Sequence, residues 1–216
     1  TAQLAPIDTP KKEVLLQIKE NGNWKTIANS KIDGYSRTAS FKIANWDDTK
    51  EFPYRLVYNL NIAKGLSKDY YWEGIIRKNP KDKEEIVVAG FTGNNDLGFP
   101  NTDIVKQVKY QNPDLLFFSG DQIYEEVGGY DIQREPLDIA TLDYLRKWYM
   151  FGWAYRDILK DRPTICLVDD HDVYMGNIWG ESGTTNRTRR SRLVNTSNGN
   201  ISINGCCFCN CSLAME

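Results

Sequence analysis

The sequence predicts two folding units in tandem, a small all-β sandwich over residues 1–76 and an α/β unit over 85–181, joined by a linker at 77–84. Two observations carry this. Short apolar runs separated by turn residues fill the first third, and after a polar break the pattern changes to strand, helix, strand, helix, strand. With 216 residues the chain is long enough to bury a sizeable core in the larger unit.

In the first unit the candidate strands are Glu13–Lys19, Trp24–Ala28, Ala39–Ile43 and Tyr54–Tyr58. Asn21-Gly22-Asn23 is a hairpin signal between the first two, and Asp33-Gly34 and Asp47-Asp48 punctuate the rest. An immunoglobulin- or fibronectin-III-like sandwich is expected. Trp72-Glu73-Gly74 and the Lys/Asp/Pro-rich stretch from Arg77 to Glu84 read as the break that closes it.

In the second unit Ile86–Phe91 reads as a buried strand, and Thr102–Gln111 as a short helix capped by Asn101 or Thr102. Asp114–Phe118 is the next strand. Leu142, Leu145, Trp148, Tyr149, Trp153 and Ile158 then recur at helical spacing within Asp138–Leu159, and Pro163–Val168 is a third buried strand. Each strand runs into polar residues: Thr92-Gly93-Asn94-Asn95-Asp96, Ser119-Gly120-Asp121 followed by Gln122-Ile123-Tyr124-Glu125, and Asp169-Asp170-His171-Asp172 running on to Gly176-Asn177. Ligands of open α/β sheets sit beyond the carboxyl ends of the strands, so these three ends mark one expected site.

The residue types at that site suit a hard cation. Gly120 lets the backbone present Asp121 from a tight turn, and Tyr124 lies three residues on, where its oxygen can share an ion with the carboxylate. Read alone, Gly-Asp is more readily a plain turn, with Tyr124 packed on the sheet edge. Asp169, Asp170 and Asp172 surround the only histidine, His171, and like charges so close call for a cation or for hydrogen bonds. Asn177 adds a neutral oxygen donor. Such a set fits a two-metal site that activates water against a phosphoryl group. No Walker loop, G-x-S-x-G elbow or zinc-type Cys/His spacing competes with it in the body of the unit.

Gly-Asp-Gln-Ile-Tyr-Glu at 120–125 after an apolar strand, and Asp-Asp-His-Asp at 169–172 after another, resemble the signatures of PhoD-type alkaline phosphatases and phosphodiesterases. These belong to the calcineurin-like metallophosphoesterase superfamily. The likeness covers roughly residues 85–180, with Gly176-Asn177-Ile178-Trp179-Gly180 in the place of the family's Asn-containing continuation. It implies an α/β metallophosphoesterase sheet, incomplete here, and a metal-dependent hydrolase of small phosphomonoesters or phosphodiesters. It further implies two metal ions, iron and calcium: Asp121 bridging them, Tyr124 on the iron, Asn177 on the calcium, with Asp170 and His171 orienting phosphate or the ligand shell. Where the family often has a Cys after its first strand this chain has Asn94, the expected substitute ligand. The family's habit implies an extracellular or periplasmic location.

A net charge of -2 gives no field to recruit nucleic acid, and no apolar run is long enough for a membrane span. Residues 182–216 change to Ser, Asn, Thr, Arg and Cys, with Cys206, Cys207, Cys209 and Cys211 outside zinc-ribbon spacing. They are expected to be an irregular tail foreign to the fold, leaving the catalytic unit cut short. The rival reading is a carbohydrate- or protein-binding module on a vestigial scaffold, with Trp24 and Trp46 as stacking rings; burial of both would end its sugar-binding form.

Overall fold

The computed structural model describes residues 1–5 and 13–173. The expected tail at 182–216 lies outside them. The N-terminal unit is built on a four-stranded antiparallel sheet of β2 (Glu13–Glu20), β3 (Asn23–Lys31), β5 (Phe52–Ala63) and β6 (Leu66–Ile76), ordered β3-β2-β5-β6. A second sheet pairs only β1 (Ala2–Gln3) with β4 (Thr38–Ala39). Asn21 and Gly22 join β2 to β3 with φ of 50° and 83°, the positive pair of a two-residue turn whose twist matches the strands it joins.

Alternation of side chains puts Val14, Leu16 and Ile18 of β2 on the inner face with Tyr54. Phe41, Ile43, Trp46 and Phe52 pack against them. The expected strand Ala39–Ile43 is therefore corrected: only Thr38–Ala39 pairs, and Phe41 and Ile43 reach the core from an irregular segment. The two layers are unequal, a sheet faced by a short ladder and a loop.

Trp72-Glu73-Gly74, read as part of the break, lies inside β6. That strand pairs with β5 alone and exposes most of its residues, so it lacks the alternation that marks a half-buried strand. Gly74 faces the second unit. A Cβ there would stand 2.3 Å from the Lys160 carbonyl oxygen and 2.7 Å from the Tyr54 ring. Beside it the Tyr54 hydroxyl donates to that same carbonyl at 3.0 Å, and the Ile75 N–H donates to Asp161 at 3.2 Å. Gly74→Ala is expected to destabilise the chain by about 1–3 kcal/mol, because backbone cannot retreat as a flexible side chain would. Urea unfolding measures it, and a loss under about 0.5 kcal/mol would mean the two units are not packed this closely.

The stretch 77–84 is tied down rather than loose. Arg77 donates to the Pro113 carbonyl and to Asn112, and Lys83 pairs with Asp114.

The second unit is α/β. Three parallel strands, β7 (Val88–Phe91), β8 (Leu115–Phe118) and β9 (Thr164–Cys166), lie in chain order, with α1 (Thr102–Gln111) and α2 (Leu137–Leu159) between them. Trp148, Phe151, Tyr155 and Ile158 recur at helical spacing on α2 and meet Leu116 and Phe118 of β8. Phe118 stacks on Phe91 at 4.4 Å and takes the edges of Phe151 and Tyr155.

The expectation of buried strands is corrected for the runs at 86–91 and 163–168. Val88, Ile165 and Leu167 are 50%, 40% and 50% exposed, because the described helices cover only the face that carries Phe91, Leu116 and Phe118. Among the described residues no helix is long and apolar enough to cross a membrane.

Candidate metal centre

The parallel sheet brings the ends of β7, β8 and β9 to one edge, and backbone hydrogen bonds continue past the strands. Ser119 N–H donates to the Phe91 carbonyl at 2.9 Å, Leu167 N–H to Phe118 at 2.9 Å, and Asn94 N–H to the Asp121 carbonyl at 2.8 Å. Gly120 turns the chain with φ of 123°, and a Cβ on it would come within 2.5 Å of Asp169 Cβ. Glycine is required twice over there. Asp121 follows at φ 56°, a left-handed conformation uncommon for a residue with a side chain and recurrent at functional turns.

Asp121, Asp170 and His171 converge. One ligand atom from each lies within 4.8 Å of the others, a grouping that can hold a metal ion. Asp121 Oδ1 is buried without a hydrogen-bond partner among the described residues, whereas Oδ2 accepts from the Tyr124 hydroxyl at 3.2 Å. Burial pushes the Asp121 carboxyl up, and Asp169 and Asp170 add to this, against His171 and the Tyr124 hydroxyl. Tyr124 is raised as well, by burial and then by Asp121, so without a cation its proton stays on.

His171 packs its ring on Tyr124, centroids 4.4 Å apart and planes tilted by 39°. Its Nδ1 lies 2.6 Å from Glu125 Oε2. Burial works against the imidazolium, but the hydrogen bond and charge of Glu125, then Asp170 and Asp121, outweigh it and raise the His171 pKa. Glu125, Glu126 and His171 form a second grouping of donors.

Asp172, read with Asp169 and Asp170 as one of three clustered acids, has a different task. It is fully buried and accepts the backbone N–H groups of Asp121 (2.9 Å), Gln122 (2.8 Å), Ile123 (3.2 Å) and Asp169 (3.0 Å). One side chain thus clamps the β8 loop to the β9 loop. Burial pushes its pKa up to about 6, against those same donors. Asp172→Asn puts an amide N–H₂ where N–H groups already point, so a loss of about 2–4 kcal/mol is expected from donors left unsatisfied. Thermal or urea unfolding reads this loss. A variant within about 0.5 kcal/mol of the native chain would refute the clamp.

The structure thus brings together four of the expected residues, Asp121, Tyr124, Asp170 and His171. Asn94 adjoins Asp121 through its backbone, while its side-chain oxygen accepts from the Tyr155 hydroxyl at 2.7 Å and is already engaged. Asn177 lies outside the described residues. The roles of Glu125 and Asp172 carry no signal in the sequence, since no spacing distinguishes a carboxylate that supports the site from one that would bind metal. Trp46 is packed edge-on against Phe52 at 4.9 Å. Trp24 carries the Arg55 guanidinium at 4.5 Å, which Tyr71 also faces at 4.4 Å. Neither ring is fully buried. Compared with known proteins, the chain matches no family model and no curated sequence.

Proposed function

We propose that the chain belongs to a metal-dependent phosphoester hydrolase, with Asp121, Asp170 and His171 as donors to a divalent cation. One observation carries the reading: these donors from two adjacent parallel-strand ends meet within 4.8 Å, and one Asp121 oxygen is buried with no hydrogen-bond partner among the described residues. The donor chemistry fits the group. Carboxylate oxygens suit a hard cation, and one imidazole suits a transition metal. The resemblance at Gly120–Glu125 and Asp169–Asp172 supports the finer assignment to PhoD-type phosphomonoesterases or phosphodiesterases, with an iron and a calcium ion.

A bound cation of this kind supplies charge to neutralise phosphoryl oxygens and lowers the pKa of a bound water. The chain's own residues set the stage for it. Asp121 projects from a turn that Gly120 permits and Asp172 locks, so its carboxylate is positioned before any ligand arrives. Tyr124 holds Oδ2 of that carboxylate and braces the His171 ring. Raising of Asp121 by burial stores a demand for positive charge that a divalent cation meets.

The test is a calorimetric titration with Mn²⁺, Fe²⁺ and Ca²⁺, together with turnover of a chromogenic phosphomonoester and phosphodiester. Metal binding with metal-dependent release of product is the expected result. A folded chain that binds none of the three ions sinks the reading.

A further inference from the structure

We propose that Glu125 is a positioning residue of the cation site: its carboxylate accepts a hydrogen bond from Nδ1–H of His171, holds the proton on that nitrogen, and leaves Nε2 as the nitrogen that faces a divalent cation shared with Asp121 and Asp170. The inference rests on the metal reading above and goes beyond it, since it fixes which nitrogen binds and which residue decides that.

The distance is the first argument. Two donors bound to one cation at about 2.1 Å each, at a right angle or wider, stand about 3.0 Å apart or more. Nδ1 and Glu125 Oε2 are 2.6 Å apart, which fits a shared proton and not a shared ion. Although Glu125, Glu126 and His171 are also close enough to hold a cation together, the contact within that grouping is already a hydrogen bond.

The second argument is how firmly the pair is held. The Glu125 side chain is 3% exposed, and its backbone carbonyl accepts from Lys147 of α2. Three and two residues before it, at Gln122 and Ile123, the loop is clamped by Asp172. On the other side, the Tyr124 ring lies against His171 and opposes rotation of the imidazole. A carboxylate that fixes the tautomer in this way also makes the opposite nitrogen a better donor.

Because His171 is the only histidine, the imidazole ¹⁵N spectrum of the full chain contains a single ring to assign. Zn²⁺ serves as a diamagnetic probe, at an alkaline pH where the ¹⁵N shifts themselves show the ring to be neutral. In the native chain the proton should reside on Nδ1, and Zn²⁺ should shift Nε2 while that proton stays. Glu125→Met is expected to release the tautomer and weaken Zn²⁺ binding about 10- to 100-fold. Glu125→Gln, which keeps a neutral acceptor and covers the case in which Met fails to fold, should retain the tautomer and still bind more weakly. Glu126→Gln should change neither. Displacement of the Nδ1 proton by Zn²⁺ would overturn the proposal in favour of the Glu125–Glu126–His171 grouping, with the metal reading intact. Glu125 variants that keep both tautomer and affinity would overturn it as well. A native chain that leaves Nε2 unshifted by Zn²⁺ removes the cation from His171 and the proposal with it, and this failure appears in the native protein rather than in a variant.

Discussion

Asp121→Asn is expected to cost at least a hundredfold in divalent-cation affinity and to bring metal-dependent phosphoester turnover down to the level of buffer. Residues that merely support a metal ligand are worth about 10- to 100-fold, and a direct anionic ligand whose buried oxygen has no partner among the described residues should exceed that. The substitution is well suited to separate chemistry from folding. Asn tolerates the left-handed backbone at this position, and the backbone contacts to Asp172 and Asn94 do not involve the side chain. Burial raises the Asp121 carboxyl, so its ionised form opposes folding in the metal-free chain. Asn removes that opposition: metal-free stability should equal or exceed that of the native chain near neutral pH. Adding Mn²⁺ should then raise the melting temperature of the native protein by mass action and leave the variant unmoved. Calorimetry and thermal unfolding with and without metal decide the matter, and a variant that binds Mn²⁺ with native affinity would remove Asp121 from the site.

Much of this arrangement was legible in the sequence because it is local. The Asn21-Gly22 turn, the apolar period of α2 and the placement of acids directly after strands are each set by a few neighbouring residues. What escaped is what depends on partners far along the chain. β6 is a strand because β5 pairs with it, not because its own pattern alternates, and Gly74 is there because Lys160 passes close by. Asp172 and Asp170 stand two residues apart in the same acidic run, yet one turns inward to four backbone N–H groups and the other stands among the candidate ligands. No one-dimensional signal separates them, since the donors that capture Asp172 come mainly from a loop some fifty residues earlier. Lys147 is a similar case. Helical periodicity alone places it among α2's charged residues, but it is 2% exposed.

That buried lysine carries the second large expected effect, a loss of about 3–5 kcal/mol on Lys147→Met. Its ammonium lies 2.7 Å from the Asp143 carboxylate and donates to the backbone carbonyls of Glu125 and Asp131, so one buried charge and two acceptors depend on it. Removal leaves Asp143, itself 7% exposed, with the less buried Arg146 at 3.1 Å as its remaining cationic partner among the described residues. The pair as such is not expected to be strongly stabilising, because taking two charges out of water offsets most of their attraction. The double variant Lys147→Met/Asp143→Leu should therefore be clearly more stable than Lys147→Met, and urea unfolding of the single and double variants measures the coupling. Since Lys147 also anchors the carbonyl of Glu125, the single variant should weaken cation binding as well as folding, whereas the distant Gly74→Ala should leave metal affinity unchanged. A Lys147→Met chain that loses less than about 1 kcal/mol would mean that α2 does not hold the site loop through this ammonium.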